Sequence, residues 1–366
     1  MNIPARLQEA GALSLLLLLP AVVGAAQPLP RLAASTDDVT VSGISSGGYM
    51  AVQFQVAYSS LVRGAGVVAG GPYYCAQGSV RRALNNCMAA AGNDLPPSAD
   101  ETLKTVKQLA EAGRIDPLKN LSDDRVWLLA GGNDKIVLPP VMDALDTFYR
   151  ATLPANAVTF IKVPDAGHAM LSVVAPKANA CSTSETPFIN RCQDIDTAGK
   201  LLTHLLGPLQ APASPPAGDM VAFDQRPFIA GRAIDASLAD EGYAFLPASC
   251  RNGGCKVHVA FHGCLQNAGE IGRRFVDGAG YNEWAANNRI VVLYPQTTRR
   301  YGLAWGSFRW LLNPKGCWDW WGYTGENYHT RDGVQMRAVR AMIETLGMPP
   351  QTVQSAPPTM SGSTNR

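Results

Sequence analysis

The chain has 366 residues, with 31 Lys and Arg set against 29 Asp and Glu for a net charge of +2. That balance gives no electrostatic footing for a nucleic acid or an anionic membrane surface. Charged residues are 16% and hydrophobic ones 46%, against roughly 25% charged in an average soluble domain, so a large core is available and a disordered chain is excluded.

In chain order, residues 1–26 read as a signal peptide. Arg6 is its positive start, Gly11–Val22 its apolar stretch, and Val23-Gly24-Ala25-Ala26 a small-residue cleavage site. The apolar stretch is short and contains Pro20, which argues against a membrane span. The expected protein is secreted or periplasmic, with no stable membrane span once the signal is cleaved. Strands are predicted at 37–42, 64–69, 125–130 and 157–163, and helices at 47–58, 99–112, 140–150 and 194–206. Strands alternating with helices argue a parallel sheet covered on both faces. Residues 207–218 (GPLQAPASPPAG) are Pro-rich and read as an exposed connector. Strands resume at 256–261 and 289–294, a helix is predicted at 332–346, and the tail 349–366 reads as disordered.

Export permits disulfides. Cys75–Cys87, Cys181–Cys192 and Cys250–Cys255 are natural short-range pairs, which leaves Cys264 to join Cys317 over a longer loop. No Cys-x-x-Cys occurs and no His stands at zinc-finger spacing from a Cys, so no metal site is expected.

Gly43-Ile44-Ser45-Ser46-Gly47 is a G-x-S-x-G between a predicted strand and a predicted helix, the context a nucleophile elbow requires. Only Ser45 has Gly two before and two after, so Ser45 is the candidate nucleophile. Ser46 then offers its backbone N–H to an oxyanion. A serine needs a base, and the base needs an orienting carboxylate. The strand 125–130 runs into Gly131-Gly132-Asn133-Asp134, and the next strand into Pro164-Asp165-Ala166-Gly167-His168. Asp134 and His168 thus follow Ser45 in the chain order of α/β-hydrolases, at the sheet edge where such a fold builds its site. Asp165 is the rival acid. His204, His258 and His329 read as structural or surface residues.

The strand 256–261 ends in His262-Gly263-Cys264. An HG turn after a strand is the usual source of a second oxyanion N–H, yet it normally precedes the nucleophile. Here it follows. Circular permutation explains the order, with 207–218 joining the former termini and 27–348 forming a single domain with a mostly parallel central sheet. Two separate domains joined by a linker are the alternative.

GISSGGYMA, GGNDKIV, DAGHAM, VAFHGCLQ and NPKGCWDWWGYTG resemble the catalytic domain of extracellular short-chain polyhydroxyalkanoate depolymerases. The early G-x-S-x-G resembles their type 2, circularly permuted α/β-hydrolase form. The resemblance spans about residues 37–346. It implies a cofactor-free serine esterase that cleaves poly(3-hydroxybutyrate) or its oligomers through an acyl-enzyme. The triad falls on Ser45, Asp134 and His168, and the oxyanion hole on the N–H groups of Ser46 and Cys264. A family tryptophan near the scissile bond falls on Trp320 or Trp321. Five of the seven tryptophans lie between 305 and 321. An aromatic cleft suits a polyester, so Trp305 and His262 join Trp320 and Trp321 as candidate substrate contacts. The expected partner is a polyester or oligoester, bound by a monomer. Many relatives add a linker and a polymer-binding domain, whereas this chain ends in a Ser/Thr/Pro tail, which favours oligomers or amorphous polymer. The competing readings are a feruloyl or acetylxylan esterase, a peptidase of the same fold, and a non-catalytic polymer-binding protein.

Overall fold

The computed structural model describes residues 26–89, 94–305, 308 and 310–350. The predicted signal peptide, apart from Ala26, and the tail beyond residue 350 lie outside them. Among the described residues no helix is long and apolar enough to cross a membrane.

Among the described residues thirteen strands form three sheets. In chain order they are β1 (Val39–Ile44), β2 (Val62–Val68), β3 (Arg125–Gly131), β4 (Val158–Val163), β5 (Met170–Leu171), β6 (Asn179–Ala180), β7 (Ile189–Arg191), β8 (Gly218–Asp224), β9 (Glu241–Pro247), β10 (Lys256–Phe261), β11 (Ile290–Tyr294), β12 (Arg300–Leu303) and β13 (Trp310–Asn313). The main sheet has the order β4-β3-β2-β1-β10-β11-β9-β8. Its first six strands are parallel, and β9 runs antiparallel to both neighbours.

Alternate side chains of each strand feed two cores. Val126, Leu128 and Ala130 of β3 enter one, with Phe54, Leu145 and Val339 of the covering helices. Trp127 and Leu129 enter the other, with Leu201 and Ala285. Burial on both faces is why these strands read as near-continuous apolar runs. The helices start where local chemistry allows. Ser98 and Glu101 form a reciprocal capping box before Ala99–Glu111, and Pro139 opens Pro139–Arg150, where no N–H is needed.

The sheet order shows the permutation directly. The strands of the C-terminal half, β8 to β11, occupy one side of β1, and β2 to β4 the other. Thr40 pairs with His258 and Gly43 with Phe261, so β1, which runs into Ser45, lies against β10, which runs into His262. Leu32 and Ala34, just before β1, donate to Leu346 O at 3.1 and 3.0 Å, at the end of the helix Val334–Gly347. The exit of the helix Val334–Gly347 therefore abuts the entry to β1. Residues 207–217 run along the helix Tyr281–Asn288 and are tied to it. Ala213 N donates to Glu283 O at 2.8 Å, and Gln210 N to Asn288 Oδ1 at 2.7 Å.

Candidate active site

Ser45 sits between β1 and the helix Ser46–Ala57 with φ 57° and ψ −124°. A non-glycine residue there is strained, and the strain lifts its side chain off the strand end. The flanking glycines are required by contact. A Cβ on Gly43 would stand 2.2 Å from Gly47 O, and one on Gly47 2.3 Å from Phe261 O. Gly47 thereby lets the helix press against the end of β10. Ser46 is the first residue of that helix, so its N–H has no intrahelical acceptor. The Ser46 hydroxyl is engaged elsewhere, accepting from Trp318 N at 3.3 Å.

Asp134 and His168 leave the ends of β3 and β4 and meet. Asp134 Oδ2 lies 2.7 Å from His168 Nδ1, with both side chains buried. Asp134 Oδ1 accepts from the N–H groups of Ile136 and Val137 at 2.8 and 2.9 Å. A carboxylate fixed by two amides can only present its other oxygen to the imidazole, which fixes the ring and leaves Nε2 for chemistry. Asp165 is exposed and makes no ion pair with His168. The His168 loop rests on the small sheet β5-β7-β6. Gly167 N donates to Cys181 O at 2.9 Å, and His168 N to Ser184 Oγ at 2.9 Å. Among the described residues no hydrogen bond joins Ser45 to the His168 ring. Such contacts are commonly loose before substrate binds.

Cys264 is disulfide-bonded to Cys317, and the other bonds are Cys75–Cys87, Cys181–Cys192 and Cys250–Cys255. Leu265 N donates to Lys315 O at 2.8 Å beside the Cys264 bridge. Among the described residues the Cys264 N–H donates to no protein acceptor. Ser45, His168, Cys264 and Trp320 line one cavity of about 260 Å³, completed by apolar side chains such as Val137 and Leu312.

The candidate substrate contacts separate. Trp320 is buried, stacks on Tyr49 at 4.3 Å, and lines the cavity with Trp321. Trp305 is 78% exposed, lies over the Arg232 guanidinium, and stands outside the cavity. His262, expected among the substrate contacts, is fully buried, with Gly263 O at one ring nitrogen and Thr297 at the other, and it does not line the cavity. Burial pushes its pKa down to about 4. Two other histidines are interior. His258 hydrogen-bonds Thr40 and Ser42 between β1 and β10, and burial holds it near 3. His329 stacks on Tyr74 at 3.8 Å.

Three residues at the site escaped the sequence reading. Tyr49 and Phe188 line the cavity, and Phe188 meets the His168 ring edge-on at 6.1 Å. Gln266 accepts from Gly263 N at 2.7 Å and donates to Pro187 O and Phe188 O. A single glutamine in a loop carries no sequence signal for such a bridge. Tyr49, four residues after Ser45, could have been read as facing the same site.

No family model matches the chain. It is 42% identical over 349 residues to the poly(3-hydroxybutyrate) depolymerase of Delftia acidovorans, covering 92% of this chain and 66% of that protein. It is 35% identical over 339 residues to the polyhydroxybutyrate depolymerase of Talaromyces funiculosus, covering 90% of this chain and 96% of that one. Among solved structures, the PHB depolymerase from Penicillium funiculosum superimposes with a TM-score of 0.79 at 32% identity, covering 88% of this chain and all of that one. A PHB depolymerase variant complexed with an R3HB trimer gives the same TM-score at 33% identity. With a shared fold and this identity along nearly its whole described length, the chain belongs to the polyhydroxybutyrate depolymerase family.

Proposed function

We propose that the protein is an exported serine esterase that hydrolyses poly(3-hydroxybutyrate) or its oligomers. The observation that carries the reading is the convergence of a strained Ser45, a buried Asp134–His168 pair and an unpaired Cys264 N–H on one apolar cavity. The relatives' names support the substrate class.

His168 Nε2 takes the proton of Ser45 as Oγ attacks the ester carbonyl. Asp134 holds the ring in the Nδ1–H tautomer and stabilises the imidazolium that forms. The N–H groups of Ser46 and Cys264 receive the charge on the carbonyl oxygen, each worth on the order of 10²- to 10³-fold in kcat. His168 returns the proton to the leaving alkoxide. It then activates water, which releases the 3-hydroxy acid from Ser45. Trp320, Trp321 and Tyr49 form apolar walls suited to the methyl-bearing backbone of such a polyester. Trp305 projects outside the cavity, where it would touch a polymer surface rather than the scissile unit. The four disulfides support an oxidising compartment, periplasm or medium.

The test is product analysis on hydroxybutyrate oligomers and amorphous polymer, with Ser45→Ala and Ser46→Ala as controls. Release of 3-hydroxybutyrate units that Ser45→Ala abolishes and Ser46→Ala retains is the expected result. Release of ferulate or acetate with no action on hydroxybutyrate esters would transfer the site to carbohydrate esters.

A further inference from the structure

We propose that His262 and Gln266 are positioning residues that set the oxyanion hole, by gripping the Gly263–Cys264 segment and aiming the Cys264 N–H into the cavity. The proposal rests on the esterase reading above and concerns how its oxyanion site is held.

The geometry begins with the peptide plane. In a trans peptide the C=O of one residue and the N–H of the next point in opposite directions. Whatever fixes Gly263 C=O therefore fixes the Cys264 N–H. Gly263 O lies 2.7 Å from His262 Nδ1 and also accepts from Gln266 N at 3.3 Å. His262 Nε2 accepts from Thr297 N at 3.2 Å, while the Thr297 hydroxyl donates to Gly316 O at 2.6 Å. An Nε2 that accepts leaves the ring proton on Nδ1, where it donates to Gly263 O. The assignment follows from the partners. Burial keeps the ring neutral, consistent with that tautomer.

Gln266 holds the preceding amide. Gly263 N donates to Gln266 Oε1 at 2.7 Å, and Gln266 Nε2 donates to Pro187 O and Phe188 O at 2.9 and 3.0 Å. Only this orientation of the side-chain amide satisfies all three contacts. Since Phe188 meets the His168 ring, Gln266 ties the oxyanion loop to the segment that walls the base. Both side chains are buried. Neither is offered as touching the reacting atoms.

The two ring nitrogens of His262 can be separated by substitution. In His262→Asn the side-chain amide can stand where Nδ1 stood and still donate to Gly263 O. In His262→Gln it reaches the place of Nε2, keeping Thr297 and losing Gly263. The experiment is steady-state kinetics on a soluble chromogenic butyrate ester, with inhibition by an alkyl boronic acid that adds to Ser45 as a tetrahedral adduct. His262→Gln should lose kcat by on the order of tenfold to a hundredfold, less than the loss of a whole donor, with KM within about twofold. Boronate inhibition should weaken in step with kcat, and His262→Asn should recover most of both. A purely structural role would move neither the kcat-to-KM split nor the recovery by Asn. Unchanged kcat in His262→Gln, a rise in KM alone, or His262→Asn no better than His262→Gln overturns the proposal. If His262→Gln does not fold, Gln266→Met decides by the same split, and unchanged kcat there overturns it. Failure of the esterase reading looks different, because the unaltered protein then hydrolyses no ester.

Discussion

Replacing both partners of the Cys264–Cys317 bond by alanine should cost stability and, separately, catalysis. The bond closes a 53-residue separation. Loop-closure entropy for that size is about 4 kcal/mol at 25 °C. The other three close 12, 11 and 5 residues, for which the same relation gives about 2 to 3 kcal/mol each. With a urea slope of about 3 kcal/mol/M for a chain this long, the midpoint should fall by about 1 M or more. The double variant keeps the Cys264 N–H, the Leu265–Lys315 bond and the Trp318–Ser46 bond, so the fold should persist without urea. What is lost is the covalent anchor of the proposed oxyanion loop. Activity on a soluble ester and far-UV circular dichroism should be followed together against urea. In the parent the two curves should coincide, whereas in the variant activity should already be reduced in buffer and vanish before the ellipticity. A variant with parental activity and an unchanged midpoint would refute the reasoning.

Other outcomes follow from the same contacts. Asp134→Asn should lower kcat by on the order of 10⁴-fold, because the amide favours the wrong imidazole tautomer, while Asp165→Asn, altering an exposed side chain, should leave kcat unchanged. Asp124 is buried with one oxygen on Gln55, and burial raises its pKa from 3.8 to about 7. A raised native pKa means the folded state binds the proton more tightly. The favourable contribution is therefore full below pH ~4 and lost as pH rises to about 7. Asp124→Asn should flatten that slope and raise stability at pH 8, by at most about 4 kcal/mol, as read by denaturation at several pH values. Trp305→Ala should leave hydrolysis of a soluble ester intact and slow hydrolysis of a polymer film, measured side by side.

The sequence yielded what depends on local pattern. The parallel strands of the first half are apolar on both faces, so their runs stood out, and observed ends differ by only a few residues. The strand–GISSG–helix junction could be read because its glycines answer to backbone contacts that no other residue permits. The strands β8 and β9 were missed. β8 is a partly exposed edge strand, and β9 (EGYAFLP) mixes Gly and Pro with its apolar residues. The helix Tyr281–Asn288 was missed because YNEWAANN has almost no amphipathic stripe. The hairpin β12–β13 was read only as an aromatic run, since its large side chains point outward, with Trp305 and Phe308 exposed. At the candidate site, Ser45, Asp134 and His168 could be picked out by loop order after strands, and the structure brings Asp134 and His168 together. The true situation of His262 did not, because it depends on Thr297 and Gly263 meeting in space.

The permuted strand order also sets when the chemistry can begin. The proposed triad, Ser45, Asp134 and His168, is translated before residues 207–217, whereas the Cys264 amide, the Trp320 wall and the Cys317 anchor come after them. Strand β1 stays without its β10 neighbour until His258, 218 positions downstream of Thr40, has been made. Pairing over such a separation is slow to form. An unfinished chain would thus hold a serine, a histidine and an aspartate with only one of the two proposed oxyanion donors, the Ser46 N–H. The complete candidate site arrives only when the last third of the polypeptide docks.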